Sequence, residues 1–500
     1  MTSEIDYTQG EVACQERIKM LVDYRFKNEP YAHQAAYLHR FWDDRTTALF
    51  ADMGTGKSFM LINNMAMLYD NGHINGALVI APKGVYRNWA ELEIPKHMPD
   101  HVTYSVALWS PQPSKKQEQA MEKMFDLDDK LHIMVMNVEA FSSPKGTKFA
   151  ERFLLSHTAL MAVDESTTIK SPTAQRTKNI YKVGRFASFR RILTGSPITK
   201  SPLDLYTQCA FLDPDLLGFA SYFAFQMRYA IVVKKTMGSR SFNQVVGYRR
   251  LDELNEKLQP FAFRVTKEEC IDLPEKVYVS RDVPLTEEQG QAYEQMKKTA
   301  LSILGDGSIT TTTTALTQIM RMHQICCGHI RSDDGEIREI PSNRLDALME
   351  VIEESDGKAI IWATYTHDIL KIHEALSKTY GGGCAATYYG DTPADERQEI
   401  VNKFQDPKSE LRFFIGQPKT GGYGLTLTEA KTVIYYSNSY DLEVRLQSED
   451  RAHRIGQTKS VTYVDLMSPK TVDQKIVEAL RNKIDIATQV LGEDLKKWLI

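Results

Sequence analysis

Between an apolar run, residues 47–51, and a helical run, residues 59–69, the chain reads Ala51-Asp52-Met53-Gly54-Thr55-Gly56-Lys57-Ser58. Two glycines, a lysine and a hydroxyl in a strand–turn–helix setting suit the cradling of phosphate. Gly54, Thr55 and Gly56 can turn backbone amides inward around phosphate oxygens, and the helix N-terminus adds its partial positive charge. Lys57 would then reach the β- and γ-phosphates of a nucleoside triphosphate, and Ser58 would ligate magnesium. Ala51 stands where the usual GxxxxGKS pattern has its first glycine, so a Gly-containing turn before a core helix is the plainer alternative.

A second group carries acids. Met161-Ala162-Val163 is an apolar strand end that runs into Asp164-Glu165. Two adjacent carboxylates at a strand terminus are costly unless metal or solvent meets them. An Asp-Glu pair by itself is commonly a solvated helix start. Downstream of a phosphate cradle it gains a role: Asp164 to hold the magnesium and Glu165 to polarise the attacking water.

These residues need a layered scaffold. Short apolar runs at residues 47–51, 77–81, 131–137, 159–164 and 191–194 alternate with helical stretches, and a second series follows at 359–363, 384–388, 412–416, 432–436 and 461–466. That alternation predicts an α/β fold with parallel sheets, arranged as two tandem lobes, 1–275 and 276–500. Between the series, residues 204–345 read as helices with one basic hairpin, giving insertions at about 204–265 and 285–345. The run Thr310 to Thr314 reads as a loop or helix lead-in, and residues 471–499 as a brace helix with Ile476, Leu480, Ile484, Ile486 and Val490 at helical spacing.

Composition narrows the class. The 500 residues are 42% hydrophobic and 25% charged, the proportions of an ordinary soluble chain. With 28 glycines and 19 prolines the chain is neither disordered nor collagen-like. No apolar run approaches the roughly 18 residues of a membrane helix, and residues 1–10 lack the basic-then-apolar pattern of a signal peptide. Six scattered cysteines form no disulfide framework, so a reducing, cytoplasmic home is expected. A net charge of −4 neither demands nor excludes a nucleic-acid partner.

Set beside further strings in order along the chain, these residues resemble the superfamily-two helicases, and within them the Swi/Snf family of DNA translocases. Tyr31-Ala32-His33-Gln34 lies where that family places an adenine-reading glutamine, and Leu78 to Pro82 with Asn88-Trp89 resembles its motif Ia. Asp164 to Lys170 is similar to the family's acid-box element, and Leu193-Thr194-Gly195-Ser196-Pro197 to motif III. Ile360 to Ala363 resembles motif IV and Thr420 to Thr428 motif V, while Gln447 to Gln457 matches motif VI almost letter for letter. Ser166 and Thr167 replace the usual small residue and histidine, and Thr426 stands where asparagine is common.

The resemblance implies two RecA-like lobes with ATP between them and ATP with Mg2+ as cofactors. It gives Gln34, Gly54, Thr55, Gly56, Lys57, Ser58 and Gly424 to the nucleotide, and Thr194, Gly195, Ser196 and Gln447 to coupling. Arg451 and Arg454 would act as arginine fingers on the γ-phosphate, and their spacing of three points both the same way if they lie on a helix. A solvated basic helix face is the bland alternative. The chain reads as little more than the motor, which looks like a monomeric bacterial or bacteriophage member without a chromatin-reading module.

Two acid-free stretches suit a DNA backbone. Residues 166–203 carry Lys170, Arg176, Lys178, Lys182, Arg185, Arg190, Arg191 and Lys200, and residues 226–251 carry Arg228, Lys234, Lys235, Arg240, Arg249 and Arg250. Such bases give salt-dependent, sequence-independent affinity, although ordinary solvated charge is the alternative for each. Lys170, Arg176, Lys178, Lys234, Lys235 and Arg240 are the candidate DNA contacts. His323, Cys326, Cys327 and His329 are zinc-ligand types at the wrong spacing for a zinc site, and the resemblance makes the cysteines packing residues. The expected function is an ATP-dependent motor on DNA, duplex favoured. A strand-separating or branch-migrating helicase, the motor part of a restriction or defence system, and a non-enzymatic nucleic-acid binder are the alternatives.

Overall fold

The computed structural model describes residues 24–491, apart from 84, 127, 238–239, 271–273, 306–308, 333, 422–424 and 455–456. Its first six strands are β1 (Thr46–Ala51), β2 (Gly76–Ala81), β3 (Tyr104–Leu108), β4 (Leu131–Asn137), β5 (Ala159–Asp164) and β6 (Phe189–Thr194). A hairpin follows, β7 (Ala230–Met237) with β8 (Arg240–Tyr248), and then β9 (Ala262–Val265). One sheet runs β3-β4-β2-β5-β6-β1-β9, every pair parallel. Every residue of β2 and β4 is buried, as expected of strands covered on both faces.

The order β5-β6-β1 decides where chemistry can occur. Register pairs Asp164 with Leu193 and Thr194 with Phe50, so the carboxyl ends of three adjacent strands lie side by side. Those ends lead into Glu165, Gly195 and the glycine turn at 52–56 respectively. Parallel sheets bind ligands at this edge. Helix α1 (Ala32–Phe41) and helix α2 (Lys57–Asp70) flank it, and α2 is buried continuously from Phe59 to Leu68. Its Met60, Ile62 and Met65 join Tyr37, Leu49, Val79 and Ile133 in one core cluster, where each large apolar side chain contributes about 1.5–3 kcal/mol. Helices α3 (Gln175–Gly184) and α4 (Leu205–Leu212) follow β5 and β6 in sequence.

The second sheet is built from β10 (Lys276–Asp282), β13 (Lys358–Trp362), β14 (Ala385–Tyr388), β15 (Phe413–Gly416), β16 (Ala430–Tyr435) and β17 (Val461–Met467), with β11 (His329–Arg331) and β12 (Ile337–Glu339) as a separate small pair. Its order is β10-β17-β16-β13-β15-β14, again all parallel. Helices α5 (Glu287–Gly305) and α6 (Ile309–Cys327) take most of the insertion read as helical at 285–345, with residues 310–314 inside α6 rather than in a loop. Its later part is the β11–β12 pair, two three-residue strands too short to carry a periodic signal. Helix α7 (Leu442–Glu449) precedes β17, and α8 (Val472–Leu491) closes the described chain with Ile476 and Leu480 packed on Leu442.

All ten apolar runs became strands. Within the two large sheets the additional β3, β9 and β10 are edge strands whose half-exposed, mixed residues carry no continuous apolar signal. The chain divides into two compact units, the first ending at Tyr229 but including 250–270, the second including 230–249 and 274–489. Among the described residues no helix is long and apolar enough to cross a membrane.

Candidate active site

In the first unit the glycine turn closes on α1. Gly54 and Gly56 have φ of 86° and 91°, the left-handed region that glycine tolerates at no steric cost. A Cβ on Gly56 would come within 2.2 Å of Gln34 Nε2. Gln34 is buried, donates from Nε2 to Thr55 O at 3.1 Å and accepts from Tyr31 N at 3.0 Å. A ring nitrogen of His33 lies 2.7 Å from the same Thr55 carbonyl. The glutamine expected to read adenine therefore also fastens α1 to the turn.

Lys57 opens α2, and its Nζ donates to Ala51 O at 2.9 Å and Asp52 O at 3.4 Å, inside the curl of the turn. Asp52 is latched from a distance: Arg264 on β9 donates to Oδ1 at 2.9 Å, and Lys267 N donates to Oδ2 at 3.2 Å. Arg264 Nη1 also reaches Phe50 O at 3.2 Å and Gly195 O at 3.4 Å. This clamp was not visible in the sequence, because nothing in spacing ties Asp52 to an arginine 212 residues away.

Asp164 ends β5 with both oxygens engaged, Oδ2 by Trp89 Nε1 at 2.8 Å and Oδ1 by Glu165 N at 3.0 Å. Burial pushes its carboxyl above the ordinary range, while the Trp89 N–H and the Lys57 charge pull it back. Glu165 follows at φ 47°, a left-handed conformation costing a non-glycine residue about 1–3 kcal/mol. Thr194 Oγ1 donates to Glu165 Oε2 at 3.2 Å and itself accepts from Ser196 N at 3.2 Å. Ser166, where the resemblance has a small residue, donates to Gln208 Oε1 at 2.7 Å, and Gln208 Nε2 donates to Pro197 O at 2.8 Å. The segments 164–166 and 194–197 are thus joined twice.

Among the described residues no cluster of three His, Cys, Asp or Glu could hold a metal. Magnesium does not require one, since it takes one or two protein oxygens and fills its octahedron with water and substrate phosphates. The Asp164 carboxylate and the half-buried Ser58 hydroxyl, beside a turn that a Cβ would obstruct, fit that donor set.

The second unit corrects one expectation. Helix α7 stops at Glu449, so Arg451 and Arg454 do not share a helix face. They lie in the turn beyond it and converge for another reason: Arg451 Nη1 and Arg454 Nη1 both donate to Leu425 O, at 3.1 and 2.9 Å. Arg451 is 1% exposed and also donates from Nε to Gln447 O at 2.8 Å, whereas Arg454 is half-buried and donates to Thr426 Oγ1 at 3.1 Å. Thr426, a departure from the family pattern, is thus a partner of Arg454. Gln447 is buried, with Nε2 donating to Glu443 Oε1 at 3.3 Å. Gly424 lies outside the described residues.

Helix α7 is held by a buried ionic network that the sequence did not reveal. Arg445 donates to Glu449 Oε1 at 2.7 Å, Asp465 Oδ1 at 2.5 Å and Asn438 Oδ1 at 2.6 Å, with its guanidinium 3.5 Å over the Tyr435 ring. A second network joins Arg344 to Asp473, Ser468 and the Tyr436 carbonyl. His323 belongs to it through Tyr365 OH at 2.8 Å and Asp473 at 3.6 Å, and His329 faces Asp368 at 3.1 Å. Cys326 and Cys327 are buried thiols, Cys326 pushed up to about 11 by burial and Cys327 pushed well above its ordinary value.

The basic stretches divide. Arg191 is fully buried and donates to Asn64 Oδ1 at 2.9 Å, so it faces no DNA. Lys170, Arg176 and Arg190 are turned onto the fold, towards Thr199 Oγ1, Thr168 O and Phe211 O. Lys178, Lys182, Arg185 and Lys200 are exposed, as is Lys234 on the hairpin. The side chains of Lys235 and Arg240 lie outside the described residues.

Residues 31–330 match the SNF2-related domain, and residues 343–456 match the helicase conserved C-terminal domain. The chain belongs to the SNF2 family. A putative ATP-dependent helicase/translocase of Bacillus subtilis, YwqA, is 26% identical over 462 residues, covering 90% of this chain and 46% of that protein. The ISWI chromatin-remodeling complex ATPase CHR17 of Arabidopsis thaliana is 25% identical over 475 residues, covering 91% and 41%. This SNF2-family chain therefore spans less than half the length of these relatives. A solved Sulfolobus solfataricus SWI2/SNF2 ATPase core in complex with dsDNA has 24% identity and a TM-score of 0.41, covering 94% of each chain.

Proposed function

We propose that this chain is an ATP-hydrolysing motor that moves on DNA, with duplex as its track. The observation that carries the reading is the Thr194–Glu165 hydrogen bond at the carboxyl edge of β5 and β6, beside the glycine turn after β1. The amides of that turn and the Lys57 ammonium receive the phosphates. Glu165, oriented by Thr194, accepts the proton of the water whose oxygen attacks the γ-phosphorus, while the bond from phosphorus to the β-phosphate oxygen breaks. When bound through Ser58 and Asp164, magnesium supplies neutralisation of phosphate charge. Arg454 contributes the positive charge for the transition state, and Arg451, buried against Gln447 and Leu425, positions the segment that carries it.

Exposed Lys178, Lys182, Arg185, Lys200 and Lys234 support DNA as the partner, since they offer cations to backbone phosphate. The names of the B. subtilis and A. thaliana relatives agree with this chemistry. The test is the ATP turnover of the full chain alone and with single strands, duplex DNA or RNA, alongside displacement of a triplex-forming strand. Duplex-specific stimulation with triplex displacement supports a duplex motor. Stimulation by RNA alone overturns the assignment of DNA.

A further inference from the structure

β2 and β5 are neighbours in the first sheet, with Ile80 opposite Val163, so the chain leaving β2 and the acid pair leaving β5 emerge at the same edge. The chain after β2 enters a short helical stretch in three pieces: Tyr86–Asn88, a π turn at Trp89–Glu93, and Ile94–His97. Pro95 explains the wide turn. It has no N–H, and in a regular helix its ring would crowd the Glu91 carbonyl, so the turn ahead of it opens and Ile94 N donates to Trp89 O. Trp89, at the head of that turn, is 3% exposed and belongs to the core cluster that holds Phe59, Ile94 and Met98. A buried indole N–H needs an acceptor. Here it is Asp164 Oδ2, at 2.8 Å and 75 residues away in the chain.

We infer that Trp89 is a positioning residue for magnesium, which rests on the assignment of Asp164 to the metal. An ionised carboxylate offers about four lone-pair directions. Trp89 takes one on Oδ2, and the Glu165 N–H takes one on Oδ1 at 3.0 Å. Two donors on different oxygens fix the plane of the carboxylate. With the Glu165 N–H alone it could swing about Oδ1. Magnesium is sensitive to that orientation, because it demands near-ideal octahedral geometry. The chemistry of the donor fits as well. An indole N–H is neutral and only donates, so it orients the carboxylate without cancelling its charge and without competing for the ion. An arginine at this place would pair with the very charge that the ion needs. Losing a partner that orients a ligating carboxylate costs about ten- to hundredfold in metal affinity.

The test separates metal affinity from nucleotide affinity in the full chain. Calorimetry measures ADP binding in EDTA and across a magnesium titration for wild type, Trp89→Phe and Trp89→benzothienylalanine. In the last of these, sulfur replaces the N–H and the ring keeps its shape. Both variants should bind ADP in EDTA as wild type does, and should need about ten- to hundredfold more magnesium to tighten it. A packing role alone gives another pattern. Trp89→Phe would then lose melting temperature and ADP affinity with and without the metal, and the sulfur isostere would match wild type throughout. That pattern, or an unchanged magnesium requirement in the isostere, overturns the inference. Asp164→Asn tells this failure from a failure of the metal site. If Asp164→Asn needs more magnesium and the isostere does not, Trp89 alone loses its role. If Asp164→Asn needs no more than wild type, Asp164 does not hold the metal and the inference falls with it.

Discussion

Thr194 Oγ1 donates to Glu165 Oε2 across 3.2 Å while accepting from Ser196 N, so the hydroxyl's one proton is committed to the carboxylate. This fixes the direction of the bond and the rotamer of the glutamate. Thr194→Val keeps the shape and removes the donor. ATP turnover should fall about ten- to hundredfold, the worth of a hydrogen bond to a charged group, with ADP affinity within a factor of two or so. Steady-state kinetics with a separate binding titration checks this.

Gly56→Ala should remove nucleotide binding, because its Cβ meets Gln34 Nε2 at 2.2 Å and φ is 91°. Gly72→Ala is the control. Gly72 also has positive φ, 68°, but nothing lies within 4 Å of the added carbon, so it should lose about 1–2 kcal/mol of stability and keep ADP affinity. Equal nucleotide binding by Gly56→Ala and wild type would remove Gln34 and the turn from the site.

These two sites show how legible the chain was. Ten strands were readable because nine of them lie inside the sheets, where strands covered on both faces are continuous apolar runs; β14 is the one edge strand among them. The glycine turn and acid pair were readable because their chemistry is contiguous in sequence. The Asp52–Arg264 clamp and the Arg445 network were not, since each joins charges brought together only by folding. The expectation that Arg451 and Arg454 point the same way rested on a helix face; in the fold it is Leu425 O that makes them converge.

Acid should attack the Arg344–Asp473 pair. Desolvation would raise Asp473, yet Arg344, His323 and the Ser468 N–H together hold it well below the ordinary carboxylate range. The unfolded chain therefore takes up the proton more readily. Stability from this group is complete above the ordinary range and is lost as pH falls through the lower folded value. Asp473→Asn should cost about 3–5 kcal/mol at neutral pH by leaving a buried guanidinium uncompensated, and should flatten the acid limb of urea-denaturation stability against pH. An acid limb identical to wild type would contradict this.

DNA affinity should depend on salt through the two basic stretches. Neutralising Lys234, Lys235 and Arg240 together should weaken binding to all sequences alike and flatten the logarithmic salt slope by about one unit per lost contact. An unchanged slope would move the contact to Lys178, Lys182 and Lys200.

Turnover of Arg454→Ala in the full chain, at saturating ATP with and without duplex DNA, tests whether hydrolysis needs a group from each unit. Arg454 is held on Leu425 O and Thr426 Oγ1, and the glycine turn lies in the other unit. The variant should lose about 10³- to 10⁵-fold in DNA-stimulated turnover while binding ATP nearly as wild type does. Robust DNA-stimulated turnover by Arg454→Ala would contradict the role given to Arg454 as the second unit's catalytic charge.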